Sequence, residues 1–270
     1  MVNRPRRWAR FGALGLLLGF CLAVGGFRLS GGRWMDVRTP SMAQAAPVGT
    51  LLLTRPIGGG DVSVGQFIVF HPPTAPGQTY AHRIVAIDPD GAIHTKGDLN
   101  DAADPWTLHH GDVVGRVVLR IWGVGWLLRA LPVLILGEVA VAAACHWLVG
   151  PRNRALVGTV GCSFVVAGVL VWLRPLVRGD VLRLDPGHAS LVGTGLLPIQ
   201  ARAAGAPAIV LSPGQKGALD GLRPTTAGTY HVQVSAHLSP LMWVALIACW
   251  LVPLAVLLVV GVERPRRVTS

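Results

Sequence analysis

Thr39-Pro40-Ser41-Met42-Ala43-Gln44-Ala45-Ala46-Pro47-Val48-Gly49-Thr50-Leu51-Leu52-Leu53 is where this chain changes character. Before it lies an uninterrupted apolar run, residues 11–27, and after it come short β-type runs divided by turn residues. Two prolines fix the backbone φ angle on either side of a single serine, so the segment reads as a stiffened loop presenting a hydroxyl close to a membrane surface. Serine alone is inert. Its hydroxyl needs a base within hydrogen-bond reach and a group to orient that base, so residues further along the chain decide what the loop is for.

The 270 residues are 51% hydrophobic and 14% charged, with mean hydropathy +0.53, which is too apolar for an ordinary soluble domain. The formal charge of +11 invites a nucleic-acid reading, but the placement of the basic residues argues for topology instead. Arg4, Arg6, Arg7 and Arg10 precede the first run, Arg152 and Arg154 separate runs at 131–149 and 155–173, and Arg264, Arg266 and Arg267 follow a run at 241–262. At ~1.5 Å rise per residue each run is of the order of the ~30 Å hydrocarbon thickness. About four transmembrane α-helices are therefore expected. The positive-inside bias makes residues 1–10, 150–154 and 263–270 cytoplasmic, and alternation then puts 28–130 and 174–240 outside. Trp34, Trp122, Trp126, Trp172 and Trp243 fall at the expected outer boundary, as an interfacial belt would. A removable signal peptide is the alternative for 11–27; the small-x-small site Ala43-Gln44-Ala45 lies well beyond that run, and cleavage there would discard Ser41. Cys21, Cys145, Cys162 and Cys249 all lie in expected spans, so neither a disulfide framework nor a metal site is expected.

Between the first two spans, runs at 50–55, 66–70, 80–87, 92–95 and 113–120 read as strands, bounded by Gly58-Gly59-Gly60-Asp61, Pro72-Pro73, Asp88-Pro89-Asp90-Gly91 and Gly111-Asp112. Residues 28–130 are thus expected to form a mostly β domain. Eight of the 13 acidic residues fall there, from Asp36 to Asp112, so the basic excess is not a nucleic-acid surface. Residues 121–130 read as an amphipathic lead-in lying on the membrane. Glu138, inside the second span, opens a transport reading, but no other intramembrane charge answers it. Residues 174–240 form a small second β module, with strands expected at 181–184, 191–201, 208–211 and 229–236.

From Gly31 to Arg120 the serines are Ser41 and Ser63, and Ser63 lies in a turn entering a strand. His82 belongs to the alternating run 80–87, on one face with Tyr80 and Ile84. Imidazole titrates near neutral pH and suits a general base; His71, His94, His109 and His110 compete for the role, as does Lys96 if burial neutralises it. Asp98, Asp101 and Asp104 lie within seven residues, and a triad needs one carboxylate to accept from the imidazole Nδ1–H. A calcium loop would want a fuller oxygen set and a terminal glutamate.

Taken in order, these segments resemble the type I signal peptidases, in the archaeal and endoplasmic-reticulum-like branch of the S26 family that also occurs in some Gram-positive bacteria. Thr39-Pro40-Ser41-Met42 is similar to the nucleophile box and Ala81-His82-Arg83-Ile84-Val85 to the base box, with histidine where the usual bacterial branch has lysine. Lys96-Gly97-Asp98-Leu99-Asn100 matches the GDxN box, Asp104 the third triad position, and Gly111-Asp112-Val113-Val114-Gly115-Arg116-Val117 the closing strand. The resemblance covers residues 10–130 and departs from the pattern at Gln44, where the family usually has proline. Residues 174–240 resemble no familiar family.

The resemblance implies a signal-peptidase-like β fold in which Ser41 is the nucleophile, His82 the general base and Asp104 its orienting carboxylate. Asp98 is then an auxiliary acid, and the Ser41 backbone N–H and Thr39 hydroxyl serve the oxyanion. It also implies a membrane-bound serine endopeptidase that removes signal peptides from exported preproteins at the outer face of the cell membrane. Such an enzyme needs no cofactor, and its partners are those preproteins, general or a dedicated few, and the bilayer. The contrasting reading is a non-catalytic membrane-anchored scaffold or receptor whose peptidase residues are relics.

Overall fold

A computed structural model describes residues 15, 18–19, 21–58, 62–151 and 153–261. They divide into two compact units. One comprises residues up to Met42 together with Thr50–Trp122, and the other Ala43–Gly49 together with the chain from Gly123 onward.

The first unit is built on one antiparallel sheet. Its strands are β1 (Arg33–Asp36), β2 (Leu51–Arg55), β3 (Phe67–Phe70), β4 (Tyr80–Ile87), β5 (Ile93–Lys96) and β6 (Val113–Ile121), in the order β1-β2-β6-β3-β4-β5. The five expected runs are all strands, within one residue at most ends. β1 was not expected, because Arg-Trp-Met-Asp has no apolar alternation; it forms by pairing with β2, Arg33 opposite Thr54 through Asp36 opposite Leu51. Ile68, Phe70, Ile84, Ile93 and Leu108 are buried together and make the core of this unit. Full burial of each is worth about 1.5–3 kcal/mol, so this cluster fixes the register of β3, β4 and β5. In β4, His82 and Ile84 face inward and Val85 outward, as the two-residue period of a strand requires.

The second unit holds three helices and two three-stranded sheets. The helices are α1 (Val124–Leu148), α2 (Arg154–Leu173) and α3 (Pro240–Gly261). Strands β7 (Gly179–Asp185), β8 (His188–Gly193) and β11 (Lys216–Asp220) form one sheet in the order β11-β8-β7; β9 (Ile199–Ala203), β10 (Ala206–Leu211) and β12 (Val232–Ala236) form the other in the order β10-β9-β12. Ala189, Leu191, Ile199, Ala201, Leu211, Leu219 and Leu222 are buried between them. The run 191–201, expected as one strand, is two: the chain turns at 194–198, because its apolar ends belong to different sheets.

α1 and α2 are long and apolar enough to cross a membrane, and only 6% of the apolar window of each is buried, so neither is the core helix of a soluble domain. They pack through small residues, Gly137 against Val165 and Gly161 against Val141. Glu138 lies beside Cys162 across this pair. In α3 the described apolar stretch, Pro240–Ala255, is shorter than a full crossing. Of the first expected span, 11–27, residues 15, 18–19 and 21–27 are described and all are helical, the helix running on to residue 29; the tails 1–10 and 263–270 lie wholly outside the described residues. The expected surface lead-in at 121–130 is not a separate element: α1 starts at Val124 and runs on through Pro132. Trp126 is likewise not an interfacial residue. It is 4% exposed, and its Nε1–H donates to the Val48 carbonyl at 3.1 Å.

Candidate active site

Ser41 lies in a 3-10 turn, Pro40–Ala45, seated by the buried side chain of Met42. The turn is kinked at Ala43, whose φ of 49° and ψ of −135° belong to a region that favours glycine. Holding alanine there costs on the order of 1–3 kcal/mol. On the other side of the serine, the Leu99 N–H donates to the Ser41 carbonyl at 2.8 Å. Gly97 permits this approach, since a methyl group at that position would stand 2.9 Å from the same carbonyl oxygen. The Gly97-Asp98-Leu99-Asn100 turn therefore fixes the serine loop through its backbone.

β4 carries His82 to the serine. The imidazole Nε2 and Ser41 Oγ are 3.0 Å apart, and Nδ1 is 2.7 Å from Asp104 Oδ2. A carboxylate only accepts, so Nδ1 carries the proton, Nε2 is left as acceptor, and the Ser41 hydroxyl donates to it. The side chains of His82 and Asp104 are 5% and 4% exposed, which shields their bond from competing water. The Phe70 and Tyr80 rings meet the imidazole edge-on at 6.1 and 5.9 Å, and Trp106 closes the same cluster against Tyr80 at 5.3 Å. Ser41, His82 and Asp104 thus form one continuous hydrogen-bonded chain.

Thr95 was not singled out in the sequence. Its Oγ1–H donates to Asp104 Oδ2 at 2.6 Å, and the Asp104 N–H returns a bond to the Thr95 carbonyl at 2.8 Å. Thr95 shares a strand face with Ile93, and both are fully buried. A threonine on an apolar inward face, nine residues before an aspartate of interest, is the signal by which it could have been found.

The other candidates sit apart from this chain. Asp98 makes a bidentate pair with Arg83, at 2.9 Å to Nε and 2.8 Å to Nη2, and Arg83 also reaches the Gly65 carbonyl. The hydrogen bonds to Asp98 raise the Arg83 pKa above its ordinary value, against the opposing effect of burial. Asp98 therefore braces β4 rather than meeting the imidazole. Lys96 points its Nζ at the Asp101 carbonyl at 3.2 Å in an exposed position, and Asp101 is itself exposed. His94 pairs with Asp88, His71 bonds the Gln78 carbonyl, and His109 and His110 lie at the short 3-10 turn before β6. Among the described residues no group of three or more His, Cys, Asp or Glu side chains is arranged to hold a metal ion.

Ser41 and His82 open onto a cleft of about 450 Å³. One wall runs from Met35 to Thr39 and continues to Met42; the other is Gln78 to His82. Thr39 is exposed within it. The Ser41 hydroxyl and the His82 imidazole lie between these two walls. No protein-family model matches this chain, and no curated protein matches it.

Proposed function

We propose that this protein is a membrane-bound serine endopeptidase that removes signal peptides from exported proteins, in the manner of the Ser-His-Asp branch of the type I signal peptidases. The observation that carries the reading is the bonded chain Ser41–His82–Asp104, opening on a cleft. Ser41 Oγ attacks the scissile carbonyl while His82 Nε2 takes its proton, and Asp104 stabilises the imidazolium. His82 then returns the proton to the leaving amine, and water repeats the sequence on the acyl-enzyme. As the resemblance implies, the Ser41 backbone N–H and the Thr39 hydroxyl are the donors assigned to the developing oxyanion in this reading. Anchoring enzyme and preprotein in one bilayer replaces a three-dimensional encounter with a pre-oriented one.

In this reading the chain crosses the cell membrane four times, with both termini cytoplasmic and both β units outside. α1 and α2 supply two crossings, and 11–27 and α3 the others. Its partners are signal-peptide-bearing preproteins, and cleavage needs no cofactor. The test is cleavage of a signal-peptide-bearing preprotein by the purified full chain in detergent. Ser41→Ala should abolish cleavage while leaving expression and membrane insertion intact, because it removes only the attacking oxygen. Retained activity would place the nucleophile elsewhere, and a wild-type chain that cleaves nothing would favour the scaffold reading.

A further inference from the structure

The second β module has no part in the chemistry above, yet it reaches the strained residue that follows the nucleophile. Ala43, two residues beyond Ser41 in the chain, belongs to the same compact unit as that module. A methyl group at Gly214 would stand 2.6 Å from the Ala43 carbonyl oxygen, 2.8 Å from its carbon and 2.9 Å from Gln44 Cα, so these backbones are in direct contact. Gly214, with φ of 76°, is the third residue of the turn Ser212-Pro213-Gly214-Gln215, which the Gln215 N–H closes onto the Ser212 carbonyl at 2.9 Å. Proline then glycine at the two central positions is the preferred composition of a type II turn. The turn is fastened to the end of β8: Gly214 N–H donates to the Gly193 carbonyl at 2.7 Å and Gly193 N–H to the Gln215 carbonyl at 3.1 Å. A rigid corner of the module thus bears on the one residue of the serine loop that needs outside support to keep its conformation.

The far end of the same segment is also held. Gly125 N–H donates to the Gly49 carbonyl at 2.9 Å, and Trp126 bonds the Val48 carbonyl and packs against Gly49. Residues 43–49 are therefore clamped at both ends. We infer that the second β module is a positioning element for the nucleophile, acting through Gly214 on Ala43 to fix the path of the chain leaving Ser41. This rests on the peptidase reading, and it gives the module a task that needs no ligand of its own.

The experiment compares two glycines of the module in the full-length chain. Gly187 has φ of 78° and open space around it, so Gly187→Ala imposes the same backbone strain as Gly214→Ala without touching Ala43. Gly214→Ala should lower kcat on a signal-peptide substrate roughly tenfold or more, the scale of a sub-ångström displacement of a reacting group, with KM nearly unchanged. Gly187→Ala should keep the wild-type kcat while lowering the Tm by the backbone-strain part alone, less than Gly214→Ala does. Adding Ala43→Gly to Gly214→Ala should restore part of kcat, because glycine accommodates the shifted backbone. Wild-type kcat in Gly214→Ala, or equal losses in the two alanine variants, would overturn the inference. The contact is read without activity in the Tm cycle of Gly214→Ala with Ala43→Gly. Additive shifts there would overturn it, whereas coupled shifts in a chain that cleaves no preprotein would sink the peptidase reading alone.

Discussion

Thr95→Val isolates the hydrogen bond that holds the carboxylate of the proposed triad. Thr95 Oγ1 lies 2.6 Å from Asp104 Oδ2, Thr95 is fully buried, and the Asp104 side chain is 4% exposed. Valine keeps the shape of threonine, so no cavity opens, and Oδ2 still accepts from His82. A hydrogen bond to a charged group is worth about 1.5–3 kcal/mol, and stability should fall by about that much. The bond exists before substrate binds, so the rate loses only the part that strengthens as the imidazolium forms. Taking that part as about 1 kcal/mol, kcat should fall roughly fivefold. Thr95→Ser gives the crossed result: it keeps the donor and so keeps kcat, but deletes a buried methyl at about 1 kcal/mol of stability. Initial rates over a range of preprotein concentrations, with thermal unfolding of the same detergent preparation, measure both. A Thr95→Val chain with wild-type kcat, or a Thr95→Ser chain slower than Thr95→Val, would refute the argument.

The identity of the base is open to a direct comparison. His82→Ala and His82→Lys should each lose at least about a hundredfold in rate, the lower range for a lost general base. The lysine variant gains nothing by mimicry, because an ammonium beside the Asp104 carboxylate is held charged. Lys96→Ala should stay within a few-fold of wild type, since its Nζ bonds the Asp101 carbonyl and takes no part in the Ser41–His82–Asp104 chain; an inactive Lys96→Ala beside an active His82→Ala would establish a Ser-Lys dyad instead. Topology is read by a reporter active only in the cytoplasm, which should be active when fused after Arg154 and silent when inserted near Gly77 or Gly214. Activity at Gly214 would remove one of the last two crossings.

Much of the architecture is written locally. The apolar runs at 131–149 and 155–173 foretell α1 and α2, and the alternation in 80–87 foretells which face of β4 carries His82, because burial of one face imposes a period that neighbouring residues display by themselves. The residues of the proposed triad were legible as separate segments in order, and their meeting was not. Ser41 lies 41 residues from His82 and Asp104 22 residues from it; the pairing of β4 with β5 over the shared core brings Asp104 to His82, and the turn after β5, bonded to the Ser41 carbonyl, brings the serine. The features missed in the sequence all depend on a partner from another element. β1 exists because β2 offers it an edge, α1 begins early because Trp126 finds the Val48 carbonyl, and Thr95 matters because Asp104 folds back onto it. A run of residues declares its own period, but what it touches is set by the register and closure of the whole chain, and a slip of one residue in β4 would turn His82 away from Ser41.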